Sequence, residues 1–540
     1  MDNRRLVLIL VFSFSLVMLW DGWQKHVQPK NALVTQAAPM SDLPSRGTDV
    51  SATSIPSTEG GVGLGATTVK VPAKAEVIKV ETDLLLAEIS SQGGDIVRLE
   101  LKAHPDTKVE NRPFILFDNG EHHLYSAQSG AIGEGLPNHR SLWRVVSEAR
   151  FLKPGDNALK VQLVADLAGG KQVVKTYIFH RGSYLIDVRQ EGLPPGAFAY
   201  YQFTRDGKPA EVKRMMGTST FTGPAVFTEA EKFQKVSFSD LAKNKAKFAT
   251  KADNGWLAMV QHYFVAAWLP PAGIAREFYM RPIGEDLYSA GVILPVGTDG
   301  VSSLSLYAGP QELQSLKSIA PGLSLVVDYG WLTVIATPIF WGLSMIHKLT
   351  GNWGWAIILL TVLIKLVFFP LSAASYKSMA KMRLVTPKLA KLKELHGDDK
   401  MRLNQEMMAL YKKENINPLG GCLPILIQIP VFISLYWVLQ GTVEMRNAPW
   451  IWWIHDLSAQ DPYYVLPLLM GATMFIQTKL NPAPPDPLQA KVMLMMPILF
   501  TGMFLFFPAG LVLYWTVNNL LSIAQQWKIT RTIEAASKLA

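Results

Sequence analysis

Lys365 is the only charge in a run, Trp353 to Leu371, that otherwise looks made for lipid. An ammonium at mid-bilayer costs roughly 2.5–3.5 kcal/mol on insertion scales, so it calls for a partner or an escape route. What it offers is recognition of an anion, above all a carboxylate. Thr361 lies four residues earlier, on the same helical face. Other apolar runs carry Gln428 between Pro424 and Pro430, then Tyr514, Thr516, Asn518 and Asn519, with Gln525 and Gln526 beyond. None of these runs contains Asp or Glu, which argues against a proton or sodium relay. Two plainer readings stay open. Gln428 and Asn518 suit interhelical hydrogen bonding at ~0.6 kcal/mol each. Lys365 lies five residues before Pro370, about 7–8 Å along a helix, within near reach of the interface for a snorkelling stem.

Other chemistries lack their devices. There is no G-x-x-x-x-G-K-[ST], no H-E-x-x-H, and no G-x-S-x-G on a strand-to-helix turn. The piece GGVGLGATT has neither a strand before it nor a helix after it. His104, His122, His123, His139, His180 and His262 form no ligand-spaced pair, and the single Cys422 excludes an internal disulfide and any Cys-based zinc site. No metal, cofactor or enzymatic activity is expected.

The elements that must position Lys365 follow from composition. Hydrophobic residues make up 49% of 540, with 15 Trp and 20 Met, which points to a membrane protein with a soluble part. Residues 1–23 begin with Arg4 and Arg5 ahead of about fifteen apolar residues and lack an A-x-A site, so an uncleaved signal anchor is expected. Residues 24–75, rich in Pro, Ser, Thr and Gly, read as a flexible tether. Residues 76–325 alternate in β-branched runs such as DIVRLELKA and QVVKTYIFH, separated by turn clusters, and predict an all-β sandwich. Residues 326–350 read as an amphipathic interfacial helix, with a true span as the alternative. Residues 351–530 hold spans at about 353–371, 422–440, 463–480, 491–507 and 510–527, and residues 531–540 form a tail.

Orientation comes from the loops. The loop 372–420 carries Lys377, Lys381, Arg383, Lys388, Lys391 and Lys393 among other cations, whereas the loop 441–462 has Arg446 against Glu444, Asp456 and Asp461. By the positive-inside rule the first is cytoplasmic and the second outside, so six crossings leave both termini inside and the β domain in the periplasm. The cytoplasmic loop reads as two amphipathic helices joined at HGDD, basic and Met-rich, with Met407 and Met408 in the second. Such a surface suits variable contacts. A hairpin packed on itself, with charges that serve topology alone, or one that rests on anionic lipid, is the plainer reading.

Four blocks carry a family resemblance: KLVFFPLSAASYKSMAKMRLVTPKLAKLKELHGDDK, QEMMALYKKENINPLGGCLPILIQIPVF, WIHDLSAQDPYYVLPLLMGATMF and FPAGLVLYWTVNNL. They closely resemble the YidC/Oxa/Alb membrane-protein insertases, in the Gram-negative form. The resemblance implies a polytopic α-helical membrane protein of six spans, with a five-helix insertase core around a hydrophilic groove and a large periplasmic all-β supersandwich domain of galactose-mutarotase type. It places a basic residue, usually Arg, at the position of Lys365, so charge is kept and the guanidinium fork lost. It ties Thr361, Tyr514 and Trp515 to function or client contact, and it implies an apolar slide on the third and fifth spans, for which Ile429, Phe432, Phe500 and Phe504 are the candidates. Gln428 joins the groove contacts, and Lys381, Arg383, Lys388, Lys391, Met407 and Met408 the recruiting hairpin.

The function implied is insertion and folding of inner-membrane proteins, alone or with the Sec translocon. Implied partners are nascent membrane proteins, the translocon and membrane lipids, with the ribosome and the signal recognition particle receptor as further candidates and no nucleic acid bound by the chain itself. Two other classes leave different marks: a small-solute transporter needs an inverted repeat and midplane ion ligands, and a periplasmic sugar-binding or epimerising protein needs a paired acid and base in the β domain.

Overall fold

A computed structural model describes residues 43–44, 75–106, 112–120, 123–208, 221–329, 332–396, 399–414, 416, 423–481 and 487–539. The anchor 1–23, most of the tether, His122, Cys422 and the middle of HGDD lie outside the described residues. The chain divides into two compact units between Val326 and Val327.

The first unit is a β-sandwich of two nine-stranded sheets. One begins as a meander of Val77–Glu81, Leu85–Ser90, Ile96–Pro105, Pro113–Asn119 and Leu124–Ile132, and continues through Phe198–Asp206, Leu287–Pro295, Arg276–Gly284 and Lys251–Ala252. The other runs from Lys232–Lys235 through Gly223–Thr228, Trp256–Val260, Phe264–Leu269, Ser302–Pro310, Leu185–Glu191, Gln172–His180 and Ala158–Asp166 to Arg144–Val145. All named pairings within these sheets are antiparallel. Edge strand Val77–Glu81 alternates outside and inside, as its sequence VIKVE dictates. Inner-face aromatics join the sheets: Trp268 stacks on Phe203 at 5.3 Å and meets Tyr201 at 5.5 Å. Burying one such side chain contributes roughly 1.5–3 kcal/mol.

Strand Phe198–Asp206 is buried on both faces. Opposite the aromatic face, Gln202 Nε2 donates to Gln128 Oε1 (2.8 Å), Thr204 Oγ1 donates to the same oxygen (2.7 Å), and Tyr279 Oη donates to Gln202 Oε1 (2.7 Å). The buried polar groups are satisfied by one another. Lys175 is 0% exposed and shares the inward face of its strand with Val173, Tyr177 and Phe179. Its ammonium donates to the carbonyls of Gly93 (2.7 Å) and Ser129 (2.8 Å) and lies 4.0 Å from Asp95. Burial pushes the Asp95 carboxyl up to about 7 against the pull of Lys175. It also pushes the His139 imidazole down to about 4, with Lys175 and Arg281 adding to the effect.

Helices Phe238–Ala242 (α1) and Leu313–Ile319 (α2) complete the first unit. The second is helical: α3 Thr333–Thr350, α4 Trp353–Val367, α5 Phe369–His396, α6 Lys400–Lys413, α7 Leu423–Gly441, α8 Val465–Leu480, α9 Pro487–Phe504 and α10 Ala509–Leu539. Among the described residues no single helix is both long and apolar enough to cross a membrane; the bent pair α4 and α5 is, by length and composition.

Several helix boundaries differ from the expected spans. The run 353–371 is not one straight helix, because α4 ends at Val367 and α5 departs at 68°. Pro370 is the cause: inside a continuous helix its ring meets the carbonyl of Leu366 and it has no N–H to donate, whereas the first turn of a new helix accepts it. The last helix runs on past the span expected at 510–527 to Leu539, through most of the residues expected as the tail. Its extension is made of helix-tolerant residues, and Arg531 lies over the Trp527 ring one turn back at 4.2 Å.

Candidate functional site: an ammonium among helices

Asn352 fixes the start of α4. Its Oδ1 accepts from the N–H groups of Gly354 (2.9 Å) and Trp355 (3.2 Å), and its Nδ2 donates to the carbonyls of Pro449 (3.2 Å) and Trp450 (3.1 Å). Gly354 lies so close to Trp450 that an added Cβ falls 2.1 Å from the indole. Helix α10 packs against α4 through a second glycine, Gly510, whose added Cβ lies 3.2 Å from Ile357.

On α10, Tyr514, Asn518 and Ser522 recur every four residues and share one face. Lys365, in the last turn of α4, reaches this stripe: its Nζ donates to Ser522 Oγ at 2.7 Å, and Ser522 Oγ donates to the Asn518 carbonyl at 2.8 Å. The ammonium therefore has a neutral partner from its own chain. Among the described residues no carboxylate is paired with it. A hydroxyl satisfies one N–H and leaves the charge intact.

Beside Lys365 lies a cavity of about 30 Å³ lined by Ile364, Phe368, Ser372, Gln428 and Val431. That is room for about two waters at roughly 10–15 Å³ each. Gln428 Nε2 donates to the Tyr514 hydroxyl at 3.1 Å, which ties α7 to α10. Thr361 is buried and its hydroxyl donates back to the Ile357 carbonyl at 2.6 Å, so it shapes the packing of α4.

The apolar candidates cluster one layer away. Phe432 meets Trp515 edge-on at 4.7 Å and Phe504 at 6.0 Å; Phe504 lies 5.6 Å from Trp515 and 6.3 Å from Phe500. Ile429 is 42% exposed, whereas Phe504 is 1% exposed and belongs to the packed interior of this cluster.

The α5/α6 hairpin has its own core of Val385, Leu389, Tyr411 and Ile416, against which Met407 packs. Met407 is thus turned inward, while Met408 is 58% exposed. Lys381 and Lys391 are exposed; Lys388 pairs with Glu414 at 2.7 Å and holds that carboxyl below its usual range. Arg383 donates to the Lys479 carbonyl at the end of α8 at 3.4 Å.

Comparison with known proteins gives this arrangement a family. Residues 345–536 match the family model of the 60Kd inner membrane protein, and residues 77–342 that of the YidC periplasmic domain. The membrane protein insertase YidC of Aromatoleum aromaticum is 59% identical over 99% of this chain and 98% of its own length. The chain belongs to the YidC family of membrane protein insertases. The insertase of Dechloromonas aromatica is 58% identical over 100% of this chain and 99% of its own. A crystal structure of an active YidC insertase with its first transmembrane domain resolved is 18% identical and covers 84% of this chain and 92% of that one, at a TM-score of 0.42.

Ser522 is the residue that reading the YidC-like blocks overlooked. Its signal was the four-residue step from Asn518, which becomes informative once α10 is known to face α4.

Proposed function

We propose that this chain is an insertase and chaperone of the bacterial inner membrane, acting alone on small clients and with the Sec translocon on larger ones. The observation that carries this reading is Lys365: a partly enclosed cation held by a neutral hydroxyl beside a small cavity that Gln428 and Ser372 also line. At reduced dielectric such a charge attracts a client's carboxylate far more strongly than in water. The proposed topology has six crossings, both termini in the cytoplasm and the β unit in the periplasm, in keeping with the charge asymmetry of the loops.

In the proposed sequence, the hairpin receives the client, with Lys381, Arg383, Lys388, Lys391 and Met408 offering a basic and adaptable surface, and the ribosome and the signal recognition particle receptor are candidate donors. The client's leading end, often carrying an acid, then displaces Ser522 from Lys365, near Gln428 and Tyr514. Its apolar segment leaves along the side of α7 and α9 that bears Ile429, Phe432 and Phe500, and burial of apolar surface drives the step without nucleotide or cofactor. Trp515 and Phe504 back this path, and Thr361 supports Lys365 from one turn below.

The test compares insertion into vesicles of an acidic-tailed, translocon-independent client. Lys365→Arg is expected to retain insertion and Lys365→Ala to lower it several-fold. Full insertion by Lys365→Ala for every such client rules out the groove charge. Photocrosslinks from positions 428, 429, 432 and 500 to a stalled client map the path, and background labelling at all four counts against it.

A further inference from the structure

A cleft of about 440 Å³ opens where α4, α5 and α10 meet, with Val362, Leu366 and Leu521 among its walls. This volume is within the roughly 300–1,000 Å³ common for ligand pockets. Among the described residues three ammonium groups line it, Lys365, Lys377 and Lys528, and no carboxylate does. Gln428 is not among its walls, so the cleft is separate from the small cavity on the client path and meets it at Lys365. Lys377 and Lys528 are exposed. Next to Lys528, half-exposed Trp527 carries Arg531 over its ring at 4.2 Å, the combination of aromatic and cation found at headgroup level.

We propose that this cleft binds an anionic phospholipid, with its phosphodiester on Lys377 and Lys528 and one acyl chain along Val362, Leu366 and Leu521. The lining combines cations with apolar walls, as the ligand combines a phosphodiester with acyl chains. A free phosphate leaves the apolar walls wet, and a zwitterionic lipid brings a cation of its own to a site with three. The lipid also supplies a negative group near Lys365 when no client is present, which lowers the cost of keeping that charge inside the helical unit. This inference rests on the proposed membrane placement and not on the insertion activity.

The test is native mass spectrometry of the delipidated full-length protein in detergent, titrated with phosphatidylglycerol or phosphatidylcholine of the same chains. Phosphatidylglycerol is expected to bind at least about fivefold more tightly, since each cation near a headgroup is worth on the order of fivefold. Lys377→Gln with Lys528→Gln should weaken it by on the order of 25-fold. Lys377→Arg with Lys528→Arg should retain it, as should Lys388→Gln with Lys391→Gln on the hairpin, and inorganic phosphate should not compete. Equal binding of the two lipids, retention by the double Gln variant, equal loss in the hairpin variant, or displacement by phosphate each overturns the proposal. Insertion is not read in this experiment, so its failure and a failure of the Lys365 test are distinguishable.

Discussion

At the scale of single residues the chain shows how burial sets charge behaviour. His139 and Asp95 sit in one buried cluster of the β unit and are pushed in opposite senses. The His139 imidazole falls from 6.5 to about 4, so its contribution to stability is full above pH 6.5 and is lost as pH falls toward 4. The Asp95 carboxyl rises from 3.8 to about 7, so folding is favoured below pH 3.8 and that advantage is lost as pH rises toward 7. Between pH 4 and 6.5 the two trends oppose each other. Replacing His139 by Gln removes one of them, and the slope of stability against pH should become more negative by about 1.4 kcal/mol per pH unit in that window. Denaturant unfolding followed by tryptophan fluorescence at several pH values checks this; parallel profiles for variant and parent refute it. Lys365, Thr361, Gln428 and Tyr514 were legible in the sequence because polar groups stand out in apolar runs. Ser522 was not, since a lone serine in such a run carries no contrast of its own. Lys175 was equally silent, since alternation alone does not show that two carbonyls hold its ammonium.

At the scale of elements, contact between helices and loops depends on small residues at a few places. Gly354 lets Trp450 lie on the start of α4, and a methyl group there has an indole carbon 2.1 Å away. Gly354→Ala should cost about 1–3 kcal/mol through overpacking, despite its better helix propensity. A thermal scan in detergent reads this as a lowered Tm, and an unchanged or raised Tm shows that the indole moves aside. Strand texture was legible over residues 76–325 because edge strands alternate cleanly. It was weakest at Phe198–Asp206, where both faces are covered and polar residues are buried by bonding to one another. The end of α4 escaped notice for a similar reason: hydrophobicity runs unbroken from Trp353 to Leu371, and Pro370 alone marks the break.

At the scale of the whole molecule, the chain keeps its β-sandwich and its helical unit as separately packed bodies. The residues proposed to meet the client all belong to the helical unit. Removing residues 77–310, with the strand ends rejoined by a flexible linker, should therefore leave insertion of small translocon-independent clients within about twofold of the parent. A protease-protection assay measures this, and complete loss with the helical unit still folded assigns the sandwich a direct part. The 68° departure of α5 from α4 has a mechanical meaning as well. A straight helix transmits torque as a rod does; an elbow at Phe368 dissipates it within one or two residues. A client tugging on the hairpin therefore need not drag the ammonium from Ser522, and capture of the client and surrender of the charge can run on separate clocks.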